Sequence, residues 1–335
     1  MIVSRTKMLL ILLFAATQLA AQIFAPGAKL EKLYTGGHLT EGAAVAPDGT
    51  VFFSDITFTK EAPGMQAGHI LRFDPRTGKT SVYRSPSGMS NGIKFDAQGR
   101  MVVAEGADFG GRRITRTDLS TGKSVILAGI FEGKAFNSPN DVALDSQGRI
   151  YFSDPRYLGH EPMEQPVMGV YRIDPDGKVH RIVTDASKPN GVAVSPDQKT
   201  LYVVTNDDGF LGFDRLPKGA PARKGRMELS AYTLKPDGSA TFRKTLVNYA
   251  PEDGPDGLVC DADGNIFAAV RNEKRFGVTV YSPDGKELAH LPTPERPTNV
   301  GFGRGTEATT LYITAGGSLY RTKTLKPGYQ LPARR

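Results

Sequence analysis

Six positions stand out for the chemistry their side chains could do together: Glu41, Asn91, Asn140, Asn190, Asp256 and Asn299. All carry carboxylate or amide oxygens, and none is a thiol or an imidazole. Such a set suits a hard cation, Ca²⁺ first with Mg²⁺ or Mn²⁺ as alternatives, whereas Zn²⁺ would prefer His and Cys. Any one of these residues could simply cap a strand end through a side-chain-to-backbone bond. Six chemically alike residues at equivalent positions point to a shared ligand instead.

The equivalence comes from an internal repeat. Each position opens one copy: "EGAAVAPDGTVFFSD", "NGIKFDAQGRMVVAE", "NDVALDSQGRIYFSD", "NGVAVSPDQKTLYVVTN", "DGLVCDADGNIFAAV" and "NVGFGRGTEATTLYIT". The starts at 41, 91, 140, 190, 256 and 299 are 50, 49, 50, 66 and 43 residues apart, the period of a four-stranded propeller blade. Each copy alternates apolar residues, turns at a D-G or Q-G step and returns, which is strand, tight hairpin, strand. A more polar hairpin follows, with turns such as "DPRTGK", "DPDGK", "KPDGS" and "SPDGK". No helical periodicity competes with this spacing beyond the N-terminus. The expected fold is all-β, a six-bladed β-propeller with four-stranded blades. The orphan strand "AKLEKLY" (Ala28 to Tyr34) should close the ring by completing the last blade and removing an exposed sheet edge. The first strand of each blade lines the central channel, so the six polar residues should form a ring at one mouth. Polar groups there, buried without partners, would be costly unless a ligand met them.

Residues 1–21 read as a secretory signal peptide, with Arg5 and Lys7, an apolar core from Met8 to Ala16, and Ala20 and Ala21 near the cut. The apolar run is short for a membrane span. Residues 22–335 then form one propeller domain, secreted or periplasmic, and a monomer is expected. The lone Cys260 has no partner for an internal disulfide and sits at an apolar strand position, where a buried inert thiol is expected. The formal net charge of +7 is scattered, without the aromatic and basic interleaving of a nucleic-acid platform. The exception is the basic insertion "DRLPKGAPARKGR", Asp214 to Arg226. The chain also lacks Trp, which excludes the Trp-Asp propeller signature.

Loops following the second strands, Thr57 to Gly68, Pro155 to Gly169 and Asp207 to Arg226, should open on the same face as the ring, where binding loops are expected. They make Arg156, Tyr157 and Phe210 candidate pocket walls and the basic insertion a candidate lid. His38 and His160 could reach the mouth as proton shuttles. Asp55, Glu105, Asp141 and Asp154 read as strand-end hydrogen-bonders, Asp154 being the one most apt to affect substrate. Asp141 is expected to turn into the blade or toward its neighbour.

The segments "EGAAVAPDG", "NSPNDVALDSQGRIYFSDPRY", "KPNGVAVSPD" and "GPDGLVCDADGNIFAA" resemble the signature segments of the senescence marker protein, gluconolactonase and luciferin-regenerating-like family, in particular its bacterial gluconolactonase branch. The likeness spans Gly37 to Thr314. It implies metal binding by Glu41, Asn190 and Asp256, with Asp256 as general base, and it implies that Asn140 touches metal or substrate. In sugar-lactone members an Arg often stands two residues before that Asn; here the position is Ser138. The implied activity is calcium-dependent opening of a lactone: the metal polarises the carbonyl, and a carboxylate, Asp256 first and Glu41 second, deprotonates water. A carboxylate could instead attack directly. Asn91, Asn140, Asp154, Arg156, Tyr157 and Asn299 are the candidate substrate contacts. Two other readings stay open: an organophosphate or aryl-ester hydrolase, and a non-catalytic exported propeller that binds a ligand around a structural ion.

Overall fold

The computed structural model describes residues 23–58, 68–157, 159–210 and 224–332. Residues 1–21, where the signal segment is expected, and most of the basic insertion lie outside the described residues. Six four-stranded antiparallel sheets follow one another along the chain as the blades of a six-bladed propeller. The inner strands are Thr40–Val45, Ser90–Phe95, Val142–Leu144, Pro189–Val194, Pro255–Cys260 and Pro297–Phe302. The last blade is completed by Glu31–Thr35, which pairs antiparallel with Ser318–Lys323. The expected closure is therefore present.

Local chemistry explains the hairpins. In the third blade Asp145 accepts the N–H groups of Gln147 (2.9 Å) and Arg149 (3.0 Å), and Gly148 takes the positive φ of +85° that the tight return requires. Beyond the turns, alternate residues of each inner strand face opposite neighbours. Ala43 and Val45 pack with Tyr312 and Leu319 of the sixth blade, while Ala44 and Ala46 pack with Ile93 and Phe95 of the second. Six apolar clusters result among the described residues, one at each junction between blades. Burial is thus spread around the ring, and the channel axis is left free for other chemistry. Cys260 belongs to one of these clusters; burial pushes its thiol up, which keeps it unreactive.

Candidate active site

The polar ring is built by a repeated defect in the inner strands. Pairing of the inner strand with its neighbour slips by one residue between Glu41 and Ala44, Ser90 and Ile93, Pro189 and Val192, Pro255 and Leu258, and Pro297 and Asn299. A bulge of this kind bends the strand and re-aims a side chain, here toward the channel. In the third blade Asn140 and Asp141 precede the strand; Asn140 N still donates to Ser153 O (2.9 Å) and Ser153 N to Asp141 O (3.1 Å).

The glycine beside the ring residue has a packing reason. A Cβ on Gly42 would lie 2.1 Å from the carbonyl oxygen of Asn91 in the next blade, and its φ is +59°. One on Gly191 would lie 2.4 Å from the Asp256 carbonyl oxygen. At these two positions the blades approach backbone to backbone, and only glycine permits it. Where Asp141 replaces glycine, its buried carboxylate turns toward the neighbouring blade. Its Oδ2 accepts Val192 N of the neighbouring blade (3.2 Å), Oδ1 accepts Val142 N (2.9 Å), and its charge acts on Glu41 and Asp256.

Five ring members, Glu41, Asn91, Asn140, Asn190 and Asp256, line one cavity of about 370 Å³ with Ser138, Tyr157, Asp208, Phe210 and Arg271. The sixth does not. Asn299 is buried beside the ring, where its Nδ2 donates to Glu41 Oε2 (3.3 Å) and its Oδ1 accepts Val300 N (2.9 Å), so it braces Glu41 from outside the cavity lining. Burial pushes the Glu41 carboxyl well above its usual range, and the charges of Asp256 and Asp141 push it further. Asp256 is also raised by burial, against the pull of Arg271, whose Nη1 donates to Asp256 Oδ2 at 2.7 Å. That arginine, in "VRNEKRF", was not singled out in the sequence; its only signal was its place just past the second strand of the Asp256 blade.

Tyr157 holds the mouth-side wall. Its hydroxyl donates to Asn206 O (2.8 Å) and accepts from Asn190 Nδ2 (3.2 Å), fixing the Asn190 amide. The buried Lys188 ammonium stacks 4.3 Å from the Tyr157 ring centre and pairs with Asp208. Ser138 lines the cavity, with Oγ accepting Ala107 N at 2.9 Å.

Other candidates lie away from the cavity. Arg156 is fully buried and turned inward: Nη2 donates to Asn137 O (2.7 Å) and Nη1 to Glu161 O (2.9 Å), so it braces the loop below Ser138. Asp154 serves the same loop, accepting Asn137 N (2.8 Å) and Ser138 N (2.7 Å). Asp55 does likewise for His38 and Leu39, and Glu105 pairs with Arg84 and Arg113. His38 and His160 do not line the cavity; His160 packs on Phe109 and lies 3.6 Å from Asp108.

The donor set can be tested against a metal on what the structure shows. Asn91 Oδ1 is buried with no hydrogen-bond partner, and two buried carboxylates raise each other's affinity for positive charge. Among the described residues no three His, Cys, Asp or Glu side chains form a ligand group; the set here is carboxylate mixed with amide. All-oxygen donors around a polar floor fit a hard cation.

Comparison with known proteins agrees with this architecture. The chain is 33% identical over 312 residues to gluconolactonase of Zymomonas mobilis, covering 82% of this chain and 80% of that one. It is 27% identical over 270 residues to lactonase drp35 of Staphylococcus epidermidis, covering 79% and 73%. The solved gluconolactonase of Xanthomonas campestris superimposes with a TM-score of 0.73 at 29% identity, covering 91% and 92%. These relatives support a hydrolase acting on a small molecule. Residues 39–317 match the SMP-30/Gluconolactonase/LRE-like region, and the chain belongs to that family.

Proposed function

We propose that the chain is a calcium-dependent lactonase, with Glu41, Asn190 and Asp256 holding the ion and Asn140 beside them. The observation that carries this reading is the convergence of those residues on one cavity whose floor contains a buried, unpartnered amide oxygen. A dication bound there supplies Lewis-acid polarisation of a carbonyl oxygen and stabilises the negative charge that develops on it.

The chain's own residues do the rest. Asp256 receives the proton of the attacking water on Oδ1, the oxygen that Arg271 does not hold. The water oxygen bonds to the carbonyl carbon as the C=O π pair moves onto oxygen; re-forming that carbonyl breaks the ring C–O bond, and the leaving alkoxide takes the proton back from Asp256 to give a hydroxy acid. Arg271 keeps Asp256 oriented, Asn299 does the same for Glu41, and Tyr157 for Asn190. The expected export of the chain, through residues 1–21, and its action as a monomer belong to this proposal. No helix among the described residues is long and apolar enough to cross a membrane.

The test is hydrolysis of γ- and δ-lactones by the purified chain in a pH-indicator assay, before and after EGTA and with Ca²⁺ added back. Activity should vanish on chelation and return with calcium, and Asp256→Asn should lower it by about 10²–10⁴-fold. Turnover untouched by exhaustive chelation would overturn the calcium requirement, and no turnover of any lactone would overturn the activity.

A further inference from the structure

The floor and the wall of the cavity differ in kind. At the floor, polar demand is unmet: Asn91 Oδ1 and Arg271 Nε are buried without hydrogen-bond partners. Higher up, the lining includes Leu39, Ile56, Phe58, Met89, Ala107 and Phe210.

Polar groups interspersed in that wall bond within the protein. Ser138 Oγ accepts Ala107 N, the Tyr157 hydroxyl bonds Asn206 and Asn190, and Asp208 pairs with Lys188. The residues two positions before the ring in the first three blades, Leu39, Met89 and Ser138, all face the cavity, and none is charged. Phe210 is 51% exposed at the rim, an apolar surface at the entrance. A polyhydroxylated ring would lose water from its hydroxyls against methyl and phenyl groups, which is unfavourable without replacement hydrogen bonds. A hydrocarbon substituent gains from the same burial.

We infer that the site takes a lactone bearing a hydrocarbon arm, alkyl or aryl, in preference to a polyhydroxylated sugar lactone. The inference rests on the lactonase reading and adds to it which lactones are taken: the ester end meets the polar floor, and the arm lies along the wall.

Three substrates test it on the purified, calcium-loaded chain: a six-membered lactone with a pentyl arm, the same ring unsubstituted, and glucono-1,5-lactone. The pentyl lactone should exceed the sugar lactone in kcat/KM by about tenfold or more. Leu39→Asn and Met89→Gln should each shrink that ratio by about threefold or more. Calorimetric titration with the corresponding six-membered lactam, with and without the pentyl arm, reads recognition apart from chemistry; the arm should tighten binding about tenfold. Equal or better turnover of the sugar lactone would overturn this inference and leave the lactonase reading intact. Tenfold discrimination between the lactams with no turnover of any lactone would support apolar-arm recognition and sink the lactonase reading. Loss of both discrimination and turnover would overturn the two together.

Discussion

The two mouths of the channel are made by the same six inner strands, yet they are opposite in character. At the ring mouth five of the six inner strands open with a bulge beside a polar residue, and a cavity of about 370 Å³ holds carboxylates, amides and Arg271. At the far mouth the strands run out through residues such as Val45, Leu144, Val194, Cys260 and Phe302, which leave about 110 Å³. That end is capped by the C-terminal segment. Tyr329 N donates to Cys260 O (3.0 Å), Gln198 Nε2 to the Tyr329 hydroxyl (3.0 Å) and Gln330 Nε2 to Gly303 O (3.3 Å). Regular pairing and apolar burial hold one end together, while the other carries buried polar atoms without hydrogen-bond partners. The ligand-facing chemistry sits where the strand register breaks.

The contrast is broken most severely by Glu41→Gln. Turnover should fall about 10²-fold or more, as one of two carboxylates at the floor is lost. In EGTA the same variant should melt at or above the wild-type temperature, because a buried carboxylate repelled by Asp256 and Asp141 has been made neutral. A lower melting temperature in EGTA would contradict that account.

Gly42→Ala attacks the backbone rather than the charge. With a positive φ and a Cβ position 2.1 Å from Asn91 O, it should cost about 3 kcal/mol in urea unfolding. Near-wild-type stability would show that the blades can part there.

Asp154 sharpens the comparison through pH. Burial pushes it up to about 7, against the N–H bonds of Asn137 and Ser138, which favour its charged form. An unfolded aspartate titrates near 3.9, so the folded state binds this proton more tightly. Stability from this group is present below about pH 4 and is lost as pH rises to about 7, with a slope of at most about 1.4 kcal/mol per pH unit. In Asp154→Asn, urea unfolding between pH 4.5 and 7.5 should lose that part of the slope; an unchanged slope would rule the contribution out.

The smallest effect belongs to the far mouth. Tyr329→Ala removes the hydrogen bond from Gln198 and should cost about 1–2 kcal/mol, while kcat/KM changes by less than about twofold. A large loss of turnover would mean the two mouths are coupled.

Much of this was legible in the residues, and for a local reason. Alternation, D-G and Q-G turns and the period of the repeats are short-range properties, so the blade number, the ring of polar residues and the closing strand could be read directly. The "FSD" ends of two second strands were legible as strand-end hydrogen-bonders, because Asp55 and Asp154 each serve the loop that leads into their own blade. Arg156 and Asn299 were harder. An arginine in a loop on the cavity face can point out or fold back, and only the carbonyls of Asn137 and Glu161 decide which.

By itself the sequence determined the architecture and five of the six positions that meet at the cavity, since both follow from a pattern repeated within single blades. Tertiary structure alone decided how those positions act on one another. Asn299 reaches Glu41 across 258 residues of chain, and Asp141 lies near enough to both Glu41 and Asp256 to shift them. Arg271 settles on Asp256. Electrostatic strength depends on distance and burial, and neither exists until six blades close around a common axis.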